Sequence, residues 1–134
     1  MFVLVVLLSV FLCAPDIVRG VEPPGGGSPV SFVSIAQGSV SGIVDPQEIV
    51  IQSEEEWREL WSKHAPSAPA PPPVDFSTEL VVGIFAGQRP TSGYQVQLVR
   101  VERGEAVISV VYQIESPPAG AVVAQMLTQP FLLI

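Results

Sequence analysis

The chain has 134 residues, enough for one domain with a modest core. A net charge of −7 argues against a nucleic-acid partner, which needs clustered Lys and Arg, and disfavours docking on an anionic membrane surface. Fourteen prolines and eleven glycines beside sparse charge predict strands joined by turns rather than a helical bundle.

Residues 1–13 are almost wholly apolar but too short to span a bilayer comfortably. They are expected to form a signal-peptide core, although no basic residues precede it. Val18-Arg19-Gly20 suits cleavage after Gly20, giving a signal peptide over 1–20. Lipidation at Cys13 is the second reading, with bulky Leu12 and Phe11 against it. An uncleaved N-terminal anchor is the third. Cys13 is the only cysteine. The mature protein is then exported without a disulfide, and packing alone must hold it together. Residues 21–29, rich in Pro and Gly, are expected to be a flexible linker. The domain proper is placed at 30–134.

Val30, Phe32 and Ile35 open the folded region, and Val40, Ile43 and Val44 continue it as short strands after a turn at Gln37-Gly38. Asp45-Pro46 marks the next turn, before a strand at 48–51. Glu54 to His64 is predicted as a helix. Ser53 caps it, and Glu56 completes a capping box. Glu54 and Glu55 suit the start of the helix dipole, and Lys63 and His64 suit its end. Glu54 with Arg58 and Glu59 with Lys63 have pairing distance along the helix. Trp57, Leu60, Trp61 and His64 share one stripe, so the two tryptophans are expected to be structural, as the lid of the core. Residues 65–73 read as a proline-rich spacer.

Residues 80–86 are apolar at every position, as in a strand covered on both faces. A polar loop follows, Gly87-Gln88-Arg89-Pro90-Thr91-Ser92-Gly93, and Tyr94 leads into an alternating strand. The alternation slips at 99–101, which predicts a bulge. Arg103-Gly104-Glu105 is a turn. Ala106, Ile108, Val110, Tyr112 and Ile114 keep period two through a long strand. Residues 121–134 are expected to hold a further strand, with Pro130 near an edge or bulge. The apolar ending, 131–134, reads as an incomplete C-terminus. The fold class expected is α+β: an antiparallel sheet with one amphipathic helix packed on it.

Catalytic patterns are weak. The single histidine and single cysteine give no zinc or copper set, so no metal and no cofactor are expected. A serine triad would have to use His64, and no Gly-x-Ser-x-Gly surrounds any serine. Gly25-Gly26-Gly27 lacks the lysine of a phosphate loop. No catalytic residue is assigned. The polar loop instead offers contacts: Arg89 for charge-assisted bonds, Thr91 and Ser92 for hydrogen bonds, and Tyr94 for a large ordered surface. Pro90 and Gly93 are expected to shape it.

Several segments together resemble the protease-complex stability family PrcB. They are Gln37-Gly38, Ser41-Gly42-Ile43, Glu56-Trp57-Arg58-Glu59-Leu60-Trp61-Ser62-Lys63-His64, Val74-Asp75-Phe76, Val81-Val82-Gly83, the loop from Gly87 to Val96, Ser116-Pro117-Pro118-Ala119-Gly120 and Thr128-Gln129-Pro130. The resemblance covers residues 30–134, and Ser92 stands where the family often has a second glycine. It implies an exported bacterial protein, periplasmic, extracellular or attached to the cell envelope. It implies no catalysis, and a partner that is another exported protein, a secreted serine protease being the type case. Pro90-Thr91-Ser92-Gly93-Tyr94 is also similar to a loop of chagasin-type cysteine protease inhibitors, which implies an inhibitor as the alternative. A general envelope interaction module without a protease partner is the third reading.

Overall fold

A computed structural model describes residues 27–134. The expected signal peptide at 1–20, Cys13 and most of the expected linker lie outside the described residues. Seven strands and one helix follow in chain order: β1 (Ser28–Pro29), β2 (Ala36–Gly38), β3 (Gln47–Ile51), α1 (Glu54–His64), β4 (Val81–Phe85), β5 (Gln95–Arg103), β6 (Ile108–Glu115) and β7 (Phe131–Leu133).

The fold is α+β, but it carries two antiparallel sheets where the sequence predicted one. A four-stranded sheet has the order β2-β7-β4-β3, and a three-stranded sheet has the order β1-β5-β6. They stack with α1 into three layers, the four-stranded sheet in the middle. One of its faces carries Val82, Ile84, Leu132 and Ile134 against Val96, Val101, Val110 and Tyr112 of the three-stranded sheet. The other carries Val81, Phe85, Phe131 and Leu133 against Trp57 and Leu60 of α1. Every residue of β4 and β7 is buried, which is why 80–86 shows no alternation.

Helix α1 forms as its end signals dictate. Ser53 Oγ accepts from the Glu56 amide at 3.3 Å. Glu56 reaches one residue further back than in a capping box, and its carboxylate accepts from the Gln52 amide at 3.0 Å. Arg58 pairs with Glu54, and Lys63 pairs with Glu59 at 2.6 Å. Both pairs are exposed and contribute little. Trp57, Leu60 and His64 are buried, while Trp61 is half-buried. Burial of Trp57 contributes on the order of 2–3 kcal/mol.

The proline-rich segment is a strap across this helix rather than a free spacer. Prolines have no amide hydrogen, but their carbonyls remain open acceptors. Trp57 Nε1 donates to Pro72 O and Trp61 Nε1 donates to Pro69 O, each at 2.9 Å. The strap thereby satisfies both indoles and closes over the helix.

Four expectations need correction. Gln37-Gly38 is no turn: both residues lie in β2, paired with Leu132 and Phe131. Gly38 leaves room for the Phe131 ring, which a Cβ would approach to 3.1 Å. The stretch 40–44 forms no strand, and Val40 and Val44 are exposed. The end of the expected linker is ordered, because Ser28 and Pro29 pair with Arg103 and Glu102 of β5. The C-terminal strand is only Phe131–Leu133, and it is interior to its sheet. Pro130 sits just before it, where a missing amide breaks no ladder bond. The slip at 99–101 is a register shift between Leu98 and Arg100, as the alternation predicts.

Candidate functional site

Three loops meet at one end of the sandwich: residues 39–46, 86–94 and 116–130. The polar loop singled out in the sequence is the middle one. It does not stand free as a displayed hairpin.

Backbone bonds lace it to both neighbours. Gln88 N donates to Val44 O at 2.9 Å. Arg89 and Thr128 exchange both amide–carbonyl bonds, at 2.7 and 3.0 Å. Ser92 N donates to Ala124 O at 3.0 Å, and Ala124 N returns the bond to Ser92 Oγ at 2.8 Å. Buried Thr128 adds its hydroxyl, donating to Thr91 O at 2.8 Å. The outer loops are joined in turn by Gln129 N donating to Ser39 O at 2.8 Å.

Two glycines make this lacing possible. Gly87 has φ 79° and Gly93 has φ 92°, a backbone region costly for any side chain. A Cβ on Gly93 would also come within 2.9 Å of Pro117. Gly93 thus occupies a position that strains any other residue. Pro90 is exposed at the bend.

The predicted contact residues are gathered in one loop but divided in use. Ser92 spends its hydroxyl on the Ala124 amide, and Thr91 Oγ1 donates to Ser92 O at 3.1 Å. Both are half-buried. Arg89 is half-buried too. Its Nη2 donates to Ala86 O at 3.0 Å, and its Cζ lies 5.6 Å from the centroid of the Tyr94 ring. Its Nε is buried without a partner, and no carboxylate pairs with the guanidinium among the described residues. A fixed cation without a counter-ion stands ready for a carboxylate or a carbonyl.

Sequence reasoning missed the apolar side chains around this end. Val40, Val44, Val122, Met126 and Leu127 are exposed on the two flanking loops. The signal was present in Ala121-Val122-Val123-Ala124, but consecutive apolar residues read as strand when the backbone is unknown.

His64 sits beneath the loop 39–46, on the helix side of this end. Its Nδ1 lies 2.9 Å from Ser41 Oγ, which also accepts from the Ile43 amide at 3.1 Å. The ring packs edge-on against Phe131 at 4.2 Å between centroids and lies beside Phe85. A serine oxygen can accept twice and donate once, so which of Ser41 Oγ and His64 Nδ1 donates depends on the ring's tautomer. Burial pushes the His64 pKa below its ordinary value. The pair closes the loop 39–46 onto the helix end, where Gly42 N donates to His64 O at 2.7 Å. No group of three or more His, Cys, Asp or Glu side chains able to hold a metal occurs among the described residues.

Comparison with known proteins is short. No curated protein and no solved structure matches the chain. A family model described as PrcB C-terminal matches residues 80–134. That segment supplies β4 to β7, with two of the three loops at the candidate site. Upstream strands β1, β2 and β3 are built into its sheets, and α1 covers its central strands. Over residues 80–134 the chain is thus similar to the PrcB C-terminal family.

Proposed function

We propose that this chain is an exported, non-catalytic binding domain that serves as an accessory subunit, stabilising a secreted or envelope protease complex. The family match supports the protease-complex setting. The observation that carries the docking role is the laced loop end: Arg89 is held rigid without a carboxylate partner among the described residues, and the loops that hold it expose Val40, Val44, Val122, Met126 and Leu127. Rigid loops lose little entropy on binding, and an arginine among apolar side chains is a common energetic centre of interfaces. The one histidine is committed to the core, which leaves it a poor base for hydrolysis.

The inhibitor reading fares less well. An inhibitory loop must project into a cleft, whereas residues 89–94 lie against 124–128 through five hydrogen bonds.

The test is functional. The chain is purified from its native source, and any co-purifying serine protease is assayed with and without it. A longer protease half-life at unchanged turnover is the expected result. Arg89→Ala should weaken the complex by about 2 kcal/mol, on the order of 30-fold. Loss of turnover that disappears in Thr91→Arg would establish the inhibitor instead. Absence of any co-purifying protease would refute the accessory role.

A further inference from the structure

Among the described residues, strand β6 has one neighbour, β5, and its other edge is open. Half of the backbone N–H and C=O groups of an edge strand point away from its sheet. Among the described residues, no hydrogen bond reaches that side of β6 from backbone or side chain.

The opposite side of the same sheet is partly covered. There β1 covers Glu102 and Arg103, Val30 N donates to Val101 O at 3.0 Å, and Gln37 Nε2 donates to Val96 O at 2.7 Å. The open edge also lacks the features that usually guard such strands. Ile108–Glu115 contains no proline, lysine or arginine. The extra residue of the bulge, Val99, belongs to β5 and not to β6. The only charge on β6 is Glu115, at its end.

The side chains of β6 define what fits. Ile108, Val110, Tyr112 and Ile114 point into the core between the sheets. Ser109 and Gln113 lie on the outer face. A strand added here would continue the core with apolar residues at alternate positions. Below this edge lies β3, the edge of the other sheet, whose Glu48 carboxylate accepts from the Tyr112 hydroxyl. The two edge strands thus carry Glu48 and Glu115 and no cation. A second copy of this chain, itself at −7, would set carboxylates beside carboxylates. A cationic segment complements them.

We propose that β6 receives an extended segment of another protein by strand addition, with apolar residues at alternate positions and lysine or arginine at its flanks. The inference rests on the reading of the chain as a binding domain, but it places this contact away from the loop end.

The test uses a soluble synthetic peptide of alternating valine and threonine flanked by lysines, titrated into the full chain. Backbone amide exchange across Ile108–Glu115 is followed by NMR. Alternate amides of β6 should slow by about tenfold or more at saturation. A peptide N-methylated along its pairing edge should give no slowing, and a peptide flanked by glutamates should bind several-fold more weakly. Ser109→Lys, on the outer face, should weaken binding while leaving the circular dichroism unchanged. Unaltered exchange with the lysine peptide overturns the proposal. So does sedimentation as a dimer with the same amides already protected, which would assign the edge to a second copy. Retained protection in Arg89→Ala separates this contact from the loop end: failure there would refute the proposed function without touching the edge.

Discussion

The two faces of the central sheet are built from different materials. Toward the three-stranded sheet the contacts are aliphatic, with Val82, Ile84, Leu132 and Ile134 meeting valines, partly buried isoleucines and the Tyr112 ring. Toward the helix they are aromatic and partly polar, with Phe85, Phe131, Trp57 and the His64–Ser41 pair. Sheet against sheet brings two pleated surfaces together, and β-branched side chains fill that space without gaps. A single short helix leaves wider space at its flanks. Large rings and a proline strap fill it, and Gly83 admits the Phe85 ring and Leu133 beside it. The helix face therefore concentrates its stability in a few residues, whereas the aliphatic face distributes it.

Trp57→Ala should break that contrast most clearly. It removes the main contact of α1, and a loss of about 3–5 kcal/mol is expected in denaturant melts. Trp57→Phe should cost far less, mainly the indole bond to Pro72 at about 1 kcal/mol. Next comes Gly42→Ala. Its Cβ would fall 2.2 Å from Lys63 O, so the loop must leave the helix end, at a cost of about 1–3 kcal/mol. On the aliphatic face, Ile84→Val should cost only about 0.5–1.5 kcal/mol, because many neighbours share the deficit.

The smallest effect is one of pH, and it belongs to the helix face alone. The His64 pKa is depressed in the folded protein by burial, so the unfolded chain binds the proton first. Stability is therefore full above the ordinary value of 6.5 and falls as pH drops below it, down to the depressed folded value. Melts between pH 7 and pH 5 should show this slope (two conditions chosen about that ordinary value). His64→Gln should flatten it, and Ile84→Val should leave it unchanged.

Much of the helix face was legible in the sequence. Ser53, Glu56 and the 57–60–61–64 stripe report on local geometry, which a helix fixes within a few residues. The burial of 80–86 on both faces was equally plain, because a strand covered twice has no polar positions. The candidate site was legible only in part. Gly93 announced a constrained bend, and the structure gives it a positive φ. The fates of Thr91 and Ser92 depend on residues 124 and 128, which are remote in sequence. Likewise, nothing local shows that Val122 and Leu127 stay in solvent while Phe131 enters the core.

The sequence by itself determined the helix with its caps, the doubly buried strand, the bulge and the α+β class, since each follows from periodicity or from contacts a few residues apart. Only the tertiary structure decided that there are two sheets, that a proline segment ties down two indoles, that the polar loop is laced to its neighbours, and that one edge of the sandwich stays open. Those outcomes rest on pairings between distant segments, and the period-two pattern that marks a strand is blind to which strand it pairs with.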